Sequence, residues 1–329
     1  MADGGADDLP AGGGEMSTAT GDVRTDERFA HPALFYSGRD EYLAGTLPFI
    51  EEGLRDGDPV AVAVPGPNLA LLRDALGAAG ERVEMLDMTE AGRNPGRIIP
   101  GVLRPFADDH PGRHVRIVGE PVWPGRSESE YPACVQHEAL INLAFAGRAA
   151  TILCPYDADN LTPEVLADAC ASHPMLIGPD GRRPSDRYDP HRIVETYNLP
   201  LPEPPATQAR TVDASNLGEI RRWVTDRAKD LGLSGERLGD LELAATELAT
   251  NSVAHGGGTG VVALWPQDGD LVCEVRDSGH ITDPLAGRLP PDAERLGGRG
   301  LLLVNHLADL VRVCSDELGT TIRIHVRLP

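Results

Sequence analysis

The run Pro59–Pro65, PVAVAVP, sets the strongest limit on what this chain can fold into. A strand that is apolar on successive residues has to be covered on both faces, as strands of a parallel sheet are. Similar runs recur through the first half: Ala33–Ser37, Arg82–Met88, His114–Glu120 and Ala149–Asp157. One helical stretch separates each from the next: Asp40–Leu54 with Pro48 inside it, Asn68–Gly80, Ile98–His110 and Ser127–Gly147. Strands alternating with single helices predict right-handed crossovers and an α/β fold with a doubly wound, mostly parallel sheet.

Ligands of such a sheet sit outside the carboxyl ends of its strands. Those ends supply Ser37, the Pro65–Asn68 loop, Asp87, Glu120 with Trp123, and Cys154 with Tyr156 and Asp157. Glu120, Trp123, Tyr156 and Asp157 are the ligand candidates, Glu120 first, because a carboxylate ending an apolar strand needs a partner, an Arg included, or a ligand. A phosphate loop after Val64 would read GxxxxGK[ST]; the chain reads PGPNLALL there, with no lysine and no hydroxyl. Trp123 at such a place packs more often than it stacks on a ligand. Cys154 reads as an inert core thiol rather than a redox sensor. His110 and His114 are separated by Pro111 and Gly112, which break the helix that would align them on a metal.

Residues 198–208 form the boundary. NLPLPEPPAT, with Pro200, Pro202, Pro204 and Pro205, favours extended polyproline II structure and a semi-rigid spacer. The expected division is an unstructured tail at 1–27, poor in large apolar side chains, one domain at 28–197, and a second at 209–329. The second reads as a strand, two helices, two strands, a loop, a helix and two strands. That order predicts an α/β sandwich with one mixed sheet and its helices on one face.

Its core is Asp240–His255, DLELAATELATNSVAH, a helix with an apolar stripe through Leu241, Ala245, Leu248 and Ser252. Glu247 and Asn251 stand four apart and share another face. Beside a nucleotide, the Asn oxygen can complete the shell of a Mg²⁺ on phosphate, and the Glu can take a proton from an attacking hydroxyl. The plainer alternative is a solvated helix face. Leu271–Gly279 reads as a strand ending in Asp277-Ser278-Gly279, where a carboxylate at a tight turn could accept an adenine amino hydrogen. Gly297, Gly298 and Gly300 stand directly before a helix, so backbone N–H groups face an anion. Residues 280–295, with three prolines, lie where a lid over nucleotide would be.

The charge narrows the partners. With 30 Lys and Arg against 51 Asp and Glu the chain carries −21, which argues against nucleic acid or an anionic membrane. No run is long enough for a membrane span, and the first residues lack a signal pattern, so a cytoplasmic protein is expected. The five cysteines include no close pair, which suggests neither a zinc site nor a disulfide framework.

Residues 209–329 resemble the GHKL ATPase superfamily, and within it the anti-sigma-factor serine/threonine kinases. The N box matches Glu247–His255, the adenine box Asp277–Gly279 and the second glycine box Gly297–Gly300, while Thr320 and Thr321 fall where the family keeps a threonine near adenine. The resemblance implies a Bergerat fold binding ATP and Mg²⁺, with Glu247 as general base, Asn251 on the metal, Asp277 and Gly279 at adenine, and Gly297, Gly298 and Gly300 on phosphates. The first half resembles the MEDS sensory domain through His31–Tyr36, Pro48–Leu54, Gly119–Trp123, Glu138–Asn142 and Cys154–Asp157. That family is regarded as a RecA/KaiC relative without a phosphate loop. A small ligand there is open, as is a homodimer.

A histidine kinase needs a phosphoacceptor on a helical hairpin before its ATPase domain; no histidine lies between His191 and His255. The expected function is therefore a protein serine/threonine kinase acting on a STAS-type anti-anti-sigma partner and alternately holding a sigma factor. The rival is an ATP-gated binding module without phosphoryl transfer. A metabolic enzyme in the first half has only Glu120 and the strand-end rim behind it.

Overall fold

The computed structural model describes residues 28–205, 209–289 and 298–329. The expected tail at 1–27, residues 206–208 of the linker and residues 290–297, which include Gly297 and the far part of the expected lid, lie outside them.

The first half has strands β1 (Phe29–Ala30), β2 (Pro32–Tyr36), β3 (Val60–Val64), β4 (Val83–Asp87), β5 (Val115–Gly119), β6 (Ala150–Asp157), β7 (Met175–Gly178) and β8 (Gly181–Pro184). Their order is β4-β3-β5-β6-β2-β7-β8, with β1 also on β6. Pairing is parallel from β4 through β7 and antiparallel in the edge hairpin β7–β8, which the sequence reading did not contain.

Burial on both faces is visible within β3 alone. Val60, Val62 and Val64 join one core with α1 (Gly38–Asp56) and α2 (Gly66–Leu76). Ala61 and Ala63 join the other, whose larger side chains come from the remaining helices. In α1 the buried residues Tyr42, Thr46, Ile50 and Gly53 follow the helical repeat, and Pro48 is tolerated inside it.

The other helices are α3 (Met88–Ala91), α4 (Pro95–Ile98), α5 (Arg104–Asp108), α6 (Tyr131–Ala144), α7 (Pro163–Ser172) and α8 (Pro190–Thr196). Between α4 and α5 the chain widens into one π-helical turn, Ile99–Leu103, containing Pro100 and Gly101. Proline cannot donate to an ordinary helical turn, and such wide turns concentrate at functional sites.

The second half contains β9 (Ala209–Asp213), α9 (Leu217–Asp230), α10 (Gly235–His255), β10 (Thr259–Gln267), β11 (Asp270–Asp277), α11 (Gly300–Leu307), β12 (Leu310–Asp316) and β13 (Gly319–Arg327). The sheet order is β12-β13-β11-β10-β9, and every neighbouring pair is antiparallel. The expected mixed sheet is thus corrected. One crossover helix does leave β12 running in the direction of β11, but β13 folds back from β12 into the gap between them.

The three helices pack on one sheet face, where Val224, Leu241, Leu248 and Val304 meet Val262, Cys273 and Ile324. The opposite face is covered by the linker rather than left open. Arg323 pairs with buried Glu274 at 2.5 Å, lies over Trp265 and donates to the Pro202 carbonyl, while Asn198 brackets Ser315 with two hydrogen bonds. Among the described residues no helix is long and apolar enough to cross a membrane.

Candidate nucleotide site

Helix α10 buries Leu241, Ala244, Ala245, Leu248, Ala249 and Ser252 and leaves Glu247 and Asn251 half-buried on a neighbouring face. Ser252 has a second role that the sequence reading missed by counting it within an apolar stripe. Its hydroxyl donates to Asp277 Oδ2 at 2.5 Å, while the Gly279 N–H donates to Oδ1 at 2.8 Å. The Asp277 carboxylate is thereby held by two donors at the end of β11. A hydroxyl in an otherwise apolar stripe, next to Asn251, was the available signal.

The turn after Asp277 is fixed from both sides. The Ser278 hydroxyl donates to the Gly256 carbonyl, and the Thr320 hydroxyl donates to the Gly279 carbonyl at 2.8 Å. Register on β13 places Thr320 opposite Asp277 and Thr321 opposite Arg276. Successive strand residues face opposite sides, so Thr320 reaches the turn and Thr321 does not.

Gly298 and Gly300 enter α11, and Gly300 closes on the α10 face. A Cβ on Gly300 would lie 2.8 Å from Glu247 Oε2 and 3.2 Å from Asn251 Nδ2, so a larger residue there would push both side chains aside. Beside this contact lies a cavity of about 520 Å³. Glu247, Arg299, Gly300 and His306 line it from the second half; Arg97 on α4 and Pro100 and Gly101 in the π turn line it from the first. Arg97 and Arg299 bring positive charge to one end of this cavity, in a chain of charge −21, while Leu302 and Leu303 supply an apolar wall. Asp277 is not part of the lining, so the cavity covers the Glu247 and glycine end of the site. Arg97, Arg299 and His306 had not been singled out from the sequence. Arg97 sits a whole domain away from the others along the chain.

The two halves meet beside this cavity. Asn94 donates to the Asn305 carbonyl at 2.8 Å and accepts from the Val311 N–H. A Cβ on Gly96 would lie 1.9 Å from Asn305 Oδ1. Arg93 pairs with Asp309, and Arg312 donates to the Ser129 carbonyl. The described part of the expected lid, residues 280–289, packs against the first half. Leu285 and Leu289 join its core, and buried Arg288, pushed down to about 10 by desolvation, donates to the Pro95 carbonyl.

The four ligand candidates of the first half are not brought to one place. Glu120 is buried and accepts from Tyr36 and from Asn68, rather than from an arginine. Asp157 lies in the same region, on a cavity of about 460 Å³ shared with Tyr36 and Asn68, and caps the Asp159 and Asn160 N–H groups. Trp123 is stacked under Arg126 at 3.7 Å, and Tyr156 is buried with its hydroxyl on Glu138.

Burial pushes the Glu120 carboxyl up to about 8 from a reference of 4.5, against the pull of its hydrogen bonds. Between those values the folded chain keeps a proton that the unfolded chain has lost. Its contribution is therefore greatest below about pH 4.5 and declines as pH rises toward about 8. Thermal melts of the wild type and Glu120→Gln across this window are expected to diverge, the variant gaining relative stability at the alkaline end. Parallel curves would mean that Glu120 ionises freely in the fold.

Known proteins agree with the two halves. Residues 30–174 match the family model of the MEDS (methanogen/methylotroph, DcmR sensory) domain, and residues 211–326 match the histidine kinase-like ATPase domain. The serine-protein kinase RsbW of Halalkalibacterium halodurans is 30% identical over 127 residues, covering 34% of this chain and 78% of that protein. Among solved structures, the RsbU and RsbW domains of a Mycobacterium tuberculosis protein are 21% identical with a TM-score of 0.28, over 39% of this chain and 32% of that one. The Acinetobacter baumannii histidine kinase AdeS is 12% identical with a TM-score of 0.23, over 72% of this chain and 96% of that one. Similarity that low carries no argument.

Proposed function

This chain belongs, through its C-terminal ATPase domain, to the family of the serine-protein kinase RsbW and bears a MEDS domain ahead of it; from that premise we propose that it phosphorylates a partner protein and that the MEDS domain restrains it. The substrate is a serine or threonine on a STAS-type anti-anti-sigma protein, and a sigma factor is the alternate partner. The proposed domains are 28–197, with a RecA/KaiC-like architecture lacking a phosphate loop, and 209–329, a GHKL (Bergerat) sandwich, joined by 198–208.

One observation carries this reading: Glu247 and Asn251 face Gly300 so closely that an added Cβ would crowd both, and Glu247 opens onto the cavity that Arg97 and Arg299 also line. A carboxylate at the phosphate end of a nucleotide site has a use in transfer that binding alone does not require. The residues fit ATP with Mg²⁺, since an oriented carboxylate, a glycine entry to a helix and a half-buried carboxamide are all in place. Asn251 would hold Mg²⁺, which when bound neutralises phosphate charge.

As the substrate hydroxyl oxygen bonds to the γ-phosphorus, the bond from that phosphorus to the β–γ bridging oxygen breaks and ADP leaves. Glu247 accepts the hydroxyl proton. Arg299 offsets part of the charge gathering on the leaving oxygens. Asp277 receives the adenine amino group, oriented by Ser252 and Gly279, and Thr320 steadies the turn beneath it.

The assay is transfer of labelled γ-phosphate from ATP to a purified STAS-type partner by the full chain. Label on a partner serine or threonine is expected. Nucleotide binding without label on any such partner would leave an ATP-gated binding module.

Restraint by the MEDS domain would act at the same cavity. Pro100 and Gly101 of that domain line the cavity onto which Glu247 opens, and Leu285, Arg288 and Leu289 are packed on the same domain. Gly96→Val would insert a side chain where Asn305 already lies. It is expected to raise transfer several-fold and to speed amide exchange across 280–289. Faster exchange with unchanged or lower transfer would show that the interface supports catalysis instead.

A further inference from the structure

Four side chains that the nucleotide site does not use meet inside the first half. His31 precedes β2, Glu138 lies on α6, Cys154 is on β6 and His173 follows α7; all four are buried, and their ligand atoms lie within 4.8 Å of one another. His31 Nε2 is 3.3 Å from Cys154 Sγ and 3.6 Å from Glu138 Oε2, and His173 Nε2 is 2.9 Å from the same oxygen. Four ligands held at 2.0–2.3 Å around a tetrahedral ion stand about 3.3–3.8 Å apart. The cluster is already near that spacing.

Hydrogen bonding fixes what each ring offers. The Asn142 amide nitrogen donates to the Ser172 carbonyl, so its oxygen faces His31 Nδ1 as an acceptor and that nitrogen carries the proton. His173 Nδ1 likewise faces the Ala169 carbonyl. In neutral rings both Nε2 atoms are then lone pairs, and both point at a carboxylate. Glu138 Oε1 and His173 Nε2 have no hydrogen-bond partner, although both are buried. Acceptors crowded on an acceptor need a proton or a cation between them.

We propose that His31, Glu138, Cys154 and His173 bind a divalent transition-metal ion of the zinc class. Two imidazoles, a thiolate and a carboxylate suit a borderline-soft ion. The outer contacts are those of a metal site: Nδ1 of each histidine donates to a fixed oxygen, and the Tyr156 hydroxyl donates to Glu138 Oε2. Four protein ligands leave no open position, so the ion is structural, tying together four segments that are distant in sequence. Helix α6 links it to the interface, because Gln136, Leu140 and Leu143 face Ile281, Arg288 and Asn305 across a shared cavity.

The full chain produced in cobalt-supplemented minimal medium tests this through metal analysis and absorption. Wild type is expected to carry about one cobalt per chain with a near-ultraviolet thiolate-to-cobalt band. Cys154→Ser should lose that band, and Cys134→Ser should keep it. If Cys154→Ser fails to fold, nitrogen-15 spectra of wild type decide alone. A folded, metal-free chain with protons on both His173 nitrogens, or a band that survives Cys154→Ser, overturns the proposal.

Discussion

Glu247→Ala is expected to lower phosphoryl transfer to the partner protein by about 10²–10⁴-fold, with ATP affinity changed by no more than about threefold. The carboxylate is half-buried and borders the cavity, and no described residue is hydrogen-bonded to it. Its loss therefore removes a proton acceptor without opening a hole in the core. The α10 side chains that support the fold, Leu241, Ala245 and Leu248, stand on another face. Transfer measured at saturating ATP, alongside calorimetric nucleotide binding, separates the two quantities. Equal losses in both would make Glu247 a binding residue and remove it from the chemistry.

Asp277→Asn is expected to weaken ATP binding by about 10–100-fold, the scale of one hydrogen bond to a charged acceptor. Asp277 has both oxygens already engaged, by the Ser252 hydroxyl and by the Gly279 N–H. Spare lone pairs on those oxygens are what an adenine amino group would use. An asparagine has one acceptor oxygen where the aspartate has two, so either the Ser252 donor or the ligand loses its partner. Calorimetry with ATP and with GTP reads the result. The variant should lose affinity for ATP and little for GTP, whose base carries a carbonyl at that position. Unchanged ATP affinity would move the base elsewhere.

What could be read from the sequence follows the range of the forces involved. Strand β3 was legible because its two faces are buried by the same local pattern. Helix α10 was legible because its stripe repeats at the helical period. The hairpin β7–β8 was not, since Gly181–Pro184 is wholly exposed and reads as loop. Nor was the pairing in the second sheet, because periodicity does not say which strand fills a gap.

The candidate site divides the same way. Glu247, Asn251 and the glycines stand in short ordered stretches, whereas Ser252 acts through a strand 25 residues away. Arg97 reaches the cavity only through the docking of one half on the other. The buried quartet was missed for the same reason. Metal reasoning from sequence looks for ligands close together, and His31 and Cys154 are 123 residues apart. Yet His31, Glu138 and Cys154 each stand at the head of a stretch that had already been singled out.

Leu285 and Leu289 belong to the second half by sequence and to the first half's core by packing. The boundary between hydrophobic cores is therefore not the boundary along the chain. Heating such a molecule is expected to couple the melting of the two halves, because parting them exposes leucines of one that the other shelters. A fragment severed at the proline-rich stretch would keep Glu247, Asn251 and Asp277 but lose Arg97, Pro100 and Gly101 from the cavity. Its two orphaned leucines would face water, and its behaviour would be that of a domain stripped of the surface that shelters them in the intact chain.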